Sequence, residues 1–426
     1  MTLHQPNTRR RPAVQRSREA TLRTMDRCTK CGICQVYCPV AAVTDRFPGP
    51  KYTGPQAQRF RIIEQVREAA PALCSGCGVC TSVCPNGVAI TDIITMAKAD
   101  MVRAEGGLPL RQRLLNRPDL IGRLGGLWPS MANRILGNGP LRQLADQLLG
   151  IDRDAPLPKF RGRAFRRWLD GQRQPDGDTL AYFSGCAVEH YDPQVGIAAV
   201  KVLNHLGYRV EAPSGACCGL PMLSSGDWGS AEERASKLIG ALAPATQGGR
   251  KIVATSTSCS LTLRSKYATL LDKADGDANL VAGSVVDICE YLREGAIERL
   301  AGDLQALPHR ALYHGPCQLR GHAMGLPAVE LLRRVPGLDL ALSEAACCGV
   351  AGTYGYERDK HNIAVAVGAS LREQVAEENP DFVICDSETC RWNIAATTGR
   401  PCLHPIEVLA ASLIGLDPLN RTLQQG

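Results

Sequence analysis

From residue 179 onward the apolar positions change character at short intervals. TLAYFSG (179–185), RVEAP (209–213) and KIVATST (251–257) are compact apolar runs rich in β-formers, the pattern of buried strands. Between them, QVGIAAVKVLNHLG (194–207) and AEERASKLIGALA (231–243) space their apolar residues three and four apart, as one face of a helix does. The order then returns, with ALYHG (311–315), DLALS (339–343) and DFVICDS (381–387) as strands and PAVELLRRV (327–335) and IAVAVGASLREQVAEE (363–378) as helices. VVDICEYLREG (285–295) reads as helical. Such alternation predicts α/β modules with parallel sheets, whose ligands gather at the carboxyl ends of the strands.

The first hundred residues lack this alternation. QRFRIIEQVREAA (58–70) has helical spacing and predicts an all-helical N-terminal domain. Residues 106–178 are rich in Gly, Pro and Arg, with leucine-rich pieces such as LRQRLL and LRQLADQLLG, and read as a connector of short helices. The expected organisation is a basic tail over 1–25, a helical domain over 26–105, a basic helical connector over 106–178, and α/β modules over 179–305 and 306–426. The fold class is thus multidomain, α followed by duplicated α/β.

The duplication is exposed by cysteine. YFSGC at Cys186 answers YHGPC at Cys317, ACCGLP at Cys217 and Cys218 answers ACCGVA at Cys347 and Cys348, and STSCS at Cys259 answers SETCR at Cys390. The offsets are 131, 130, 130 and 131 residues, which indicates an internal repeat. A smaller repeat lies upstream, where Cys28, Cys31, Cys34 and Cys38 recur 46 residues later as Cys74, Cys77, Cys80 and Cys84.

Composition sharpens the meaning of these thiols. A chain of 426 residues buries enough apolar surface to need no disulfide staples, so its 19 cysteines require another role. The N-terminus is polar and basic, without an apolar stretch before a small-residue cleavage site, which points to a reducing cytosolic setting. There, cysteine clusters read as metal or redox groups. No run reaches the length of a membrane span, so any membrane contact is expected to be peripheral. The net charge of +7 is local: residues 103–173 hold 14 Arg or Lys against 6 Asp or Glu. That excess suits nucleic acid, anionic lipid, a partner surface or a solvated linker.

The spacing C-x2-C-x2-C-x3-C-P, present twice, is the bacterial ferredoxin pattern for 4Fe-4S clusters, in which the fourth cysteine serves the other run's cluster. Cys28, Cys31, Cys34 and Cys84 are therefore expected to hold one cluster, and Cys74, Cys77, Cys80 and Cys38 the other. Structural zinc would use paired C-x2-C arms closed as a tetrahedron, which this triple spacing fits poorly. Each α/β module adds four thiols, Cys186, Cys217, Cys218 and Cys259 in the first and Cys317, Cys347, Cys348 and Cys390 in the second. Cys385 is an alternative ligand or a core residue, Cys289 reads as core, and Cys402 is open. His190, His314 and His322 lie near the expected cluster edges, where a supporting or proton-handling role competes with plain packing. Tyr354 and Tyr356 are expected in the second module's core. A zinc-stabilised nucleic-acid binder would use the basic stretch on phosphate, but the ferredoxin runs argue against it. No G-x-G-x-x-G follows a strand, so no FAD or NAD is expected on this chain. No carboxylate pair or nucleophile arrangement appears outside the cysteines, so no catalytic residue is assigned.

The module pattern resembles the CCG module of heterodisulfide reductases and related iron–sulfur subunits. Here the first cysteine of its closing C-x2-C is replaced by Ser256 and Ser387. Together with FPGPKYTGPQAQRFR, LPKFRGRAFRRW, ACCGVAGTYGYE and ETCRWNI, the chain from about Asp26 to Leu413 is similar to the CCG-module iron–sulfur subunit family of anaerobic glycerol-3-phosphate dehydrogenases. The resemblance implies a non-flavin electron-transfer subunit with two ferredoxin-type clusters and one or two more in the CCG modules. It further implies a flavoprotein dehydrogenase partner, a membrane quinone acceptor, and a peripheral place on the cytoplasmic face of the inner membrane. Iron–sulfur subunits of glycolate or lactate oxidising complexes share the motifs and are the alternative, as is a heterodisulfide reductase-like subunit.

Overall fold

The structure, a computed structural model, describes residues 17–64, 69–162, 164–213 and 215–415 together with Leu419. Residues 1–16 of the expected basic tail, and 65–68 within the expected helix 58–70, lie outside the described residues. What is described of the tail is structured. Ser17 caps the helix Arg18–Arg23, Thr21 is buried, and the Arg18 guanidinium lies 4.8 Å from the centroid of the Trp228 ring.

The N-terminal region is helical. A short helix lies within each cysteine run, Ala57–Glu64 lies between the runs, and Ile90–Ala104 closes the region. This last helix has two apolar sides. Ile90, Ile93 and Ile94 pack with Cys34 and Cys80, while Met96 and Ala99 join the core of the first α/β module. The helix therefore fixes the ferredoxin-like region to the module, and an ion pair between Lys266 and Asp92 at 2.5 Å reinforces the junction.

The first sheet consists of β1 (Thr179–Phe183), β2 (Arg209–Glu211), β3 (Ile252–Ala254) and β4 (Val285–Asp287) in the order β2-β1-β3-β4, all parallel. The second repeats it with β5 (Arg310–Tyr313), β6 (Asp339–Leu342), β7 (Phe382–Ile384) and β8 (Cys402–Leu403) in the order β6-β5-β7-β8. Helices cover both faces of the central strands β1, β3, β5 and β7, which is why these read as apolar runs, whereas the edge strands β2 and β6 stay half exposed.

Two differences from the sequence reading have physical causes. VVDICEYLREG opens as β4 before the helix Ile288–Gly295 begins, and Cys402 lies on β8. Strands of two or three residues running straight into a helix leave no periodicity to read. The helix expected over 363–378 is interrupted at Gly368, between Arg358–Val367 and Ala369–Glu378. A Cβ at Gly368 would stand 2.6 Å from the Cys348 carbonyl oxygen, so the interruption lets the chain pass close to the cysteine pair.

The modules share one core. Helix Pro193–His205 of the first packs on Pro405–Leu413 of the second, and Ile288–Gly295 of the first packs on Pro327–Leu332 of the second. A continuous cluster including Leu203, Leu292, Leu331, Phe382 and Leu409 runs through both. This joint turns the carboxyl ends of both sheets toward a common space. The connector contributes helices Leu110–Leu115, Pro118–Gly125, Pro129–Leu136 and Gly139–Leu149, each opened by a proline at or near its first turn.

Candidate iron–sulfur centres

The two ferredoxin-type runs fold alike for a local reason. Gly32 and Gly78 take φ values of +87° and +79°, opening the short helices Ile33–Val36 and Val79–Ser82 that present Cys34 and Cys80 inward. The fourth cysteines cross over. Cys84 joins Cys28, Cys31 and Cys34 around one pocket with Lys51 and Val88. Cys38 joins Cys74, Cys77 and Cys80 around another with Phe47 and Thr91. Cys31 is exposed, whereas Cys38, Cys77 and Cys80 are buried. Around the second pocket the Gly76 and Ala41 amides donate to Cys74 and Cys38 sulfurs at 3.5 Å, and the Thr91 hydroxyl meets Cys80 Sγ at 3.2 Å. Burial pushes the Cys77 thiol up to about 12 and Cys80 well above the ordinary thiol value. Such thiols ionise only beside positive charge, which iron supplies.

Each α/β module gathers its thiols at the carboxyl edge of its sheet. Cys186 follows β1 and Cys259 follows β3, the two strands between which the strand order reverses; Cys217 and Cys218 follow β2. The four form a chain of thiol contacts, Cys186 to Cys217 to Cys218 to Cys259. Its contact with Cys217, and then burial, hold Cys186 well above the ordinary thiol value. In the second module the chain runs Cys317 to Cys347 to Cys348 to Cys390 and continues to Cys385. Contacts accepted from Cys317 and Cys348 hold Cys347 well below that value, and contacts from Cys348 and Cys385 do the same for Cys390. Amides of Gly219 and Gly349 donate to Cys217 and Cys347 sulfurs at 3.4 and 3.3 Å. Gly349, at φ +98°, is needed because a Cβ there would stand 2.3 Å from the Ala364 carbonyl oxygen. The close approach at this glycine is thus to the protein's own backbone.

Among the described residues, no three His, Cys, Asp or Glu side chains converge on a single-ion site. Each set of four sulfurs instead lines a gap, and an all-thiolate set around a gap suits an iron–sulfur cluster.

The two serines at the missing cysteine positions differ. Ser256 caps helix Thr257–Leu261, accepting from the Cys259 amide at 3.3 Å, and its hydroxyl donates to Glu388 Oε1 at 3.2 Å. Ser387 is buried at the start of helix Glu388–Thr398 and makes no capping bond. Cys385 is fully buried against Cys390; Cys289 is buried in the shared core and contacts Asp386; Cys402 packs at the edge of the second module's core.

The histidines also separate. His322 Nε2 lies 2.8 Å from the Thr257 carbonyl, tying the modules together, and burial pushes its pKa down to about 4. His190 is buried, and its carbonyl accepts from the Arg161 amide of the connector at 2.8 Å. His314 is fully buried near Cys347 and Cys390, and among the described residues neither ring nitrogen has a hydrogen-bond partner. Tyr356 lies in the second module's core as expected, but Tyr354 packs with Cys38, Val40 and Phe47 and donates to the Leu73 carbonyl at 3.1 Å. Sequence reasoning missed Lys98, whose ammonium donates to the Cys74 and Ser224 carbonyls at 3.1 and 2.9 Å and whose pKa burial lowers to about 8. Its place inside an otherwise apolar helix face was the available signal.

The sets adjoin one another. Cys34 and Cys80 share one apolar cluster, and Cys77 and Cys317 share another with Val79. Gln318 Nε2 donates to the Gly76 carbonyl at 3.2 Å across the same boundary. At this boundary a cavity of about 790 Å³ is lined by Cys77 and the thiols of both modules and roofed by the connector.

Comparison with known proteins matches domain families to these stretches of chain. A 4Fe-4S dicluster domain model matches residues 24–88, and a cysteine-rich CCG domain model matches 180–264 and again 311–395. The glycolate oxidase iron-sulfur subunit of Escherichia coli is 26% identical over 91% of this chain and 93% of its own length. A subunit of the dihydromethanophenazine:CoB–CoM heterodisulfide reductase of Methanosarcina barkeri is 23% identical over 93% of this chain and 95% of its own. A subunit of the anaerobic glycerol-3-phosphate dehydrogenase of Escherichia coli is 34% identical over 92% of this chain and 99% of its own. With its dicluster region, its two cysteine-rich modules and this end-to-end likeness, the chain belongs to the CCG-module iron–sulfur subunit family of anaerobic glycerol-3-phosphate dehydrogenases.

Proposed function

We propose that the chain is the iron–sulfur subunit of an anaerobic sn-glycerol-3-phosphate dehydrogenase complex, carrying electrons from a flavoprotein subunit toward membrane quinone. The observation that carries this reading is that the thiol sets adjoin, from the exposed Cys31 to Cys77 and the cavity lined by the thiols of both modules. Cys28, Cys31, Cys34 and Cys84 would hold the entry cluster, and Cys74, Cys77, Cys80 and Cys38 the second. Cys317, Cys347, Cys348 and Cys390 would hold the third, and Cys186, Cys217, Cys218 and Cys259 the fourth. The clusters supply one-electron redox chemistry; the protein spaces them, buries them and sets their potentials with amide N–H groups and local charge.

The connector supports peripheral membrane contact. Leu110, Leu114, Leu120, Leu124, Leu127 and Trp128 are exposed, and so are five more large apolar side chains as far as Leu148. Arg113, Arg123 and Arg134 are exposed among them, whereas both carboxylates of this stretch are partly covered, Asp119 pairing with Arg234 and Asp146 with Arg358. Apolar side chains ringed by arginine suit an anionic lipid surface, each basic residue contributing about 1 kcal/mol near it. Among the described residues no helix is long and apolar enough to cross a membrane.

The test is to purify the chain without oxygen together with its copurifying dehydrogenase and add candidate donors. sn-Glycerol 3-phosphate is expected to bleach the visible iron–sulfur absorbance and to generate EPR signals of reduced clusters. Bleaching by glycolate or lactate instead would reassign the partner.

A further inference from the structure

The cavity faced by both modules has a wall without sulfur, made by the connector. We propose that this wall binds the ring of a quinone, an uncharged acceptor carried in lipid; the inference rests on the acceptor assigned above and gives it a place. Leu115, Ile121, Leu136, Leu157 and Phe160 line the cavity from the connector side. A row of aromatic rings crosses from there to the second module. Phe160 and Tyr191 have centroids 5.6 Å apart, Tyr191 and Trp392 5.8 Å apart, and all three line the cavity. The Tyr191 hydroxyl donates to the Pro118 carbonyl at 2.6 Å, which pins the central ring and fixes it to the connector.

On the connector side this is a surface for a flat apolar ring, offering aromatic rings and an apolar wall. A phosphorylated or carboxylated metabolite would need cations aimed at it. Of the cations in the lining, Lys266 is already paired with Asp92 and Arg320 donates to the Ala346 carbonyl, and Glu388 adds a carboxylate. Thr389, also in the lining, supplies a donor for a ring carbonyl.

The route of entry follows from the same helices. Ile121 faces the cavity from helix Pro118–Gly125, whose Leu124 faces solvent; Leu136 faces it from Pro129–Leu136, whose Met131 and Ile135 are exposed. The connector is one helix thick here, about 10 Å, so a lipid-borne ring at its outer face is a single layer from the cavity.

The experiment uses the full, cluster-loaded chain in detergent and an azidoquinone with a short isoprenoid tail, with labelled residues located by mass spectrometry. Saturable labelling on the connector wall or the aromatic row, displaced by unlabelled quinone, is expected. Leu136→Glu, in a helix with no fully buried residue, should weaken labelling at least about tenfold by placing a carboxylate on the apolar wall, with iron content and helicity unchanged. Should that variant lose iron, Ile121→Asn replaces it with the same expectation. Leu124→Glu, on the outer face, should retain labelling in detergent while weakening flotation with anionic vesicles. Saturable labelling at residues remote from the cavity would overturn the site and leave the acceptor standing. Absence of saturable labelling anywhere on the folded chain would overturn both.

Discussion

The two α/β modules have the same strand order and the same four thiols, yet the residues behind the thiols differ. Three positions before the first cysteine stands Phe183 in one module and His314 in the other; five before the last stands Ala254 in one and Cys385 in the other. The matching tyrosines Tyr182 and Tyr313 both reach the next strand end, but Tyr182 meets the Thr255 hydroxyl at 2.9 Å and Tyr313 donates to the Asp386 carboxylate at 2.6 Å. The fold dictates where thiols stand and leaves the layer behind them free to set charge and hydrogen bonding. Both modules meet the ferredoxin-like region, the first at Met96 and Ala99 and the second at Cys77 and Cys317, and the polar layer is in the second.

The largest effect should come from removing one thiol from each module in turn. Cys347→Ser and Cys218→Ser should each lower iron by about four per chain from about sixteen. They should differ in consequence. Loss of the second module's centre interrupts the path beyond Cys77, so the first module's centre would no longer be reduced by the flavoprotein donor. Loss of the first leaves the second reducible. Rapid-freeze EPR after donor addition distinguishes the two, and equal behaviour would show that both modules take electrons directly from the ferredoxin-like region.

Exchanging the layer behind the thiols should act more mildly. Among the described residues His314 is fully buried with both ring nitrogens unpartnered, a state that costs about 1–3 kcal/mol for each unsatisfied group. A cluster at Cys347 and Cys390 would give one of them a sulfur to bond. His314→Phe should therefore stabilise the iron-free chain, while in the loaded chain it should shift the second module's midpoint potential and EPR signal toward those of the first. Stabilisation of both forms would show that the imidazole bonds nothing.

Milder still is Cys385→Ala. Four thiols remain without it, so iron should stay at about sixteen per chain. Cys390 loses a contact that holds it well below the ordinary thiol value, so the second module's spectrum should change. Loss of about four irons would make Cys385 a ligand.

These contrasts also show what the chain discloses by itself. A cluster demands one residue type at fixed spacing, so the grouping of sixteen thiols, and the crossing of Cys38 and Cys84 between runs, is legible in the sequence. Strands buried on both faces write themselves as apolar runs. β4 and β8 do not, because two or three residues before a helix carry no period. Ser256 reads as a lost cysteine, and only the folded chain reveals it as a helix cap bonded to Glu388. The connector is legible as short helices, but helices apolar on two faces give no indication of which face turns inward. Tyr354 escapes its expected neighbour for a similar reason: an aromatic residue after a cysteine pair packs equally well on its own module or the one beside it.

The smallest effect on electron transfer, and the sharpest contrast in stability, should come from the caps after β4 and β8. Asp287 accepts from the Cys289 amide at 2.9 Å and His404 Nδ1 from the Ile406 amide at 3.0 Å, each two residues on and each almost fully buried. Burial, then the Asp386 and Glu290 carboxylates, raise Asp287 to about 8, while the Cys289 and Glu290 amides pull it down. The folded chain thus keeps a proton that the unfolded chain releases above the ordinary carboxyl value, and stability contributed by Asp287 falls as pH rises from there to about 8. Burial and the Arg391 charge hold His404 well below the ordinary imidazole value, against a bond to the Thr255 carbonyl. There the unfolded chain takes up a proton that the folded chain refuses, so stability falls as pH drops below that value. Asp287→Asn keeps an acceptor and should flatten the alkaline slope, whereas His404→Asn should flatten the acid one, each slope being at most about 1.4 kcal/mol per pH unit. Denaturant midpoints of the anaerobic protein across pH 5–9 would read both. A wild-type stability that rises between pH 7 and 8, with Asp287→Asn unchanged from it, would mean that Asp287 is ionised in the fold.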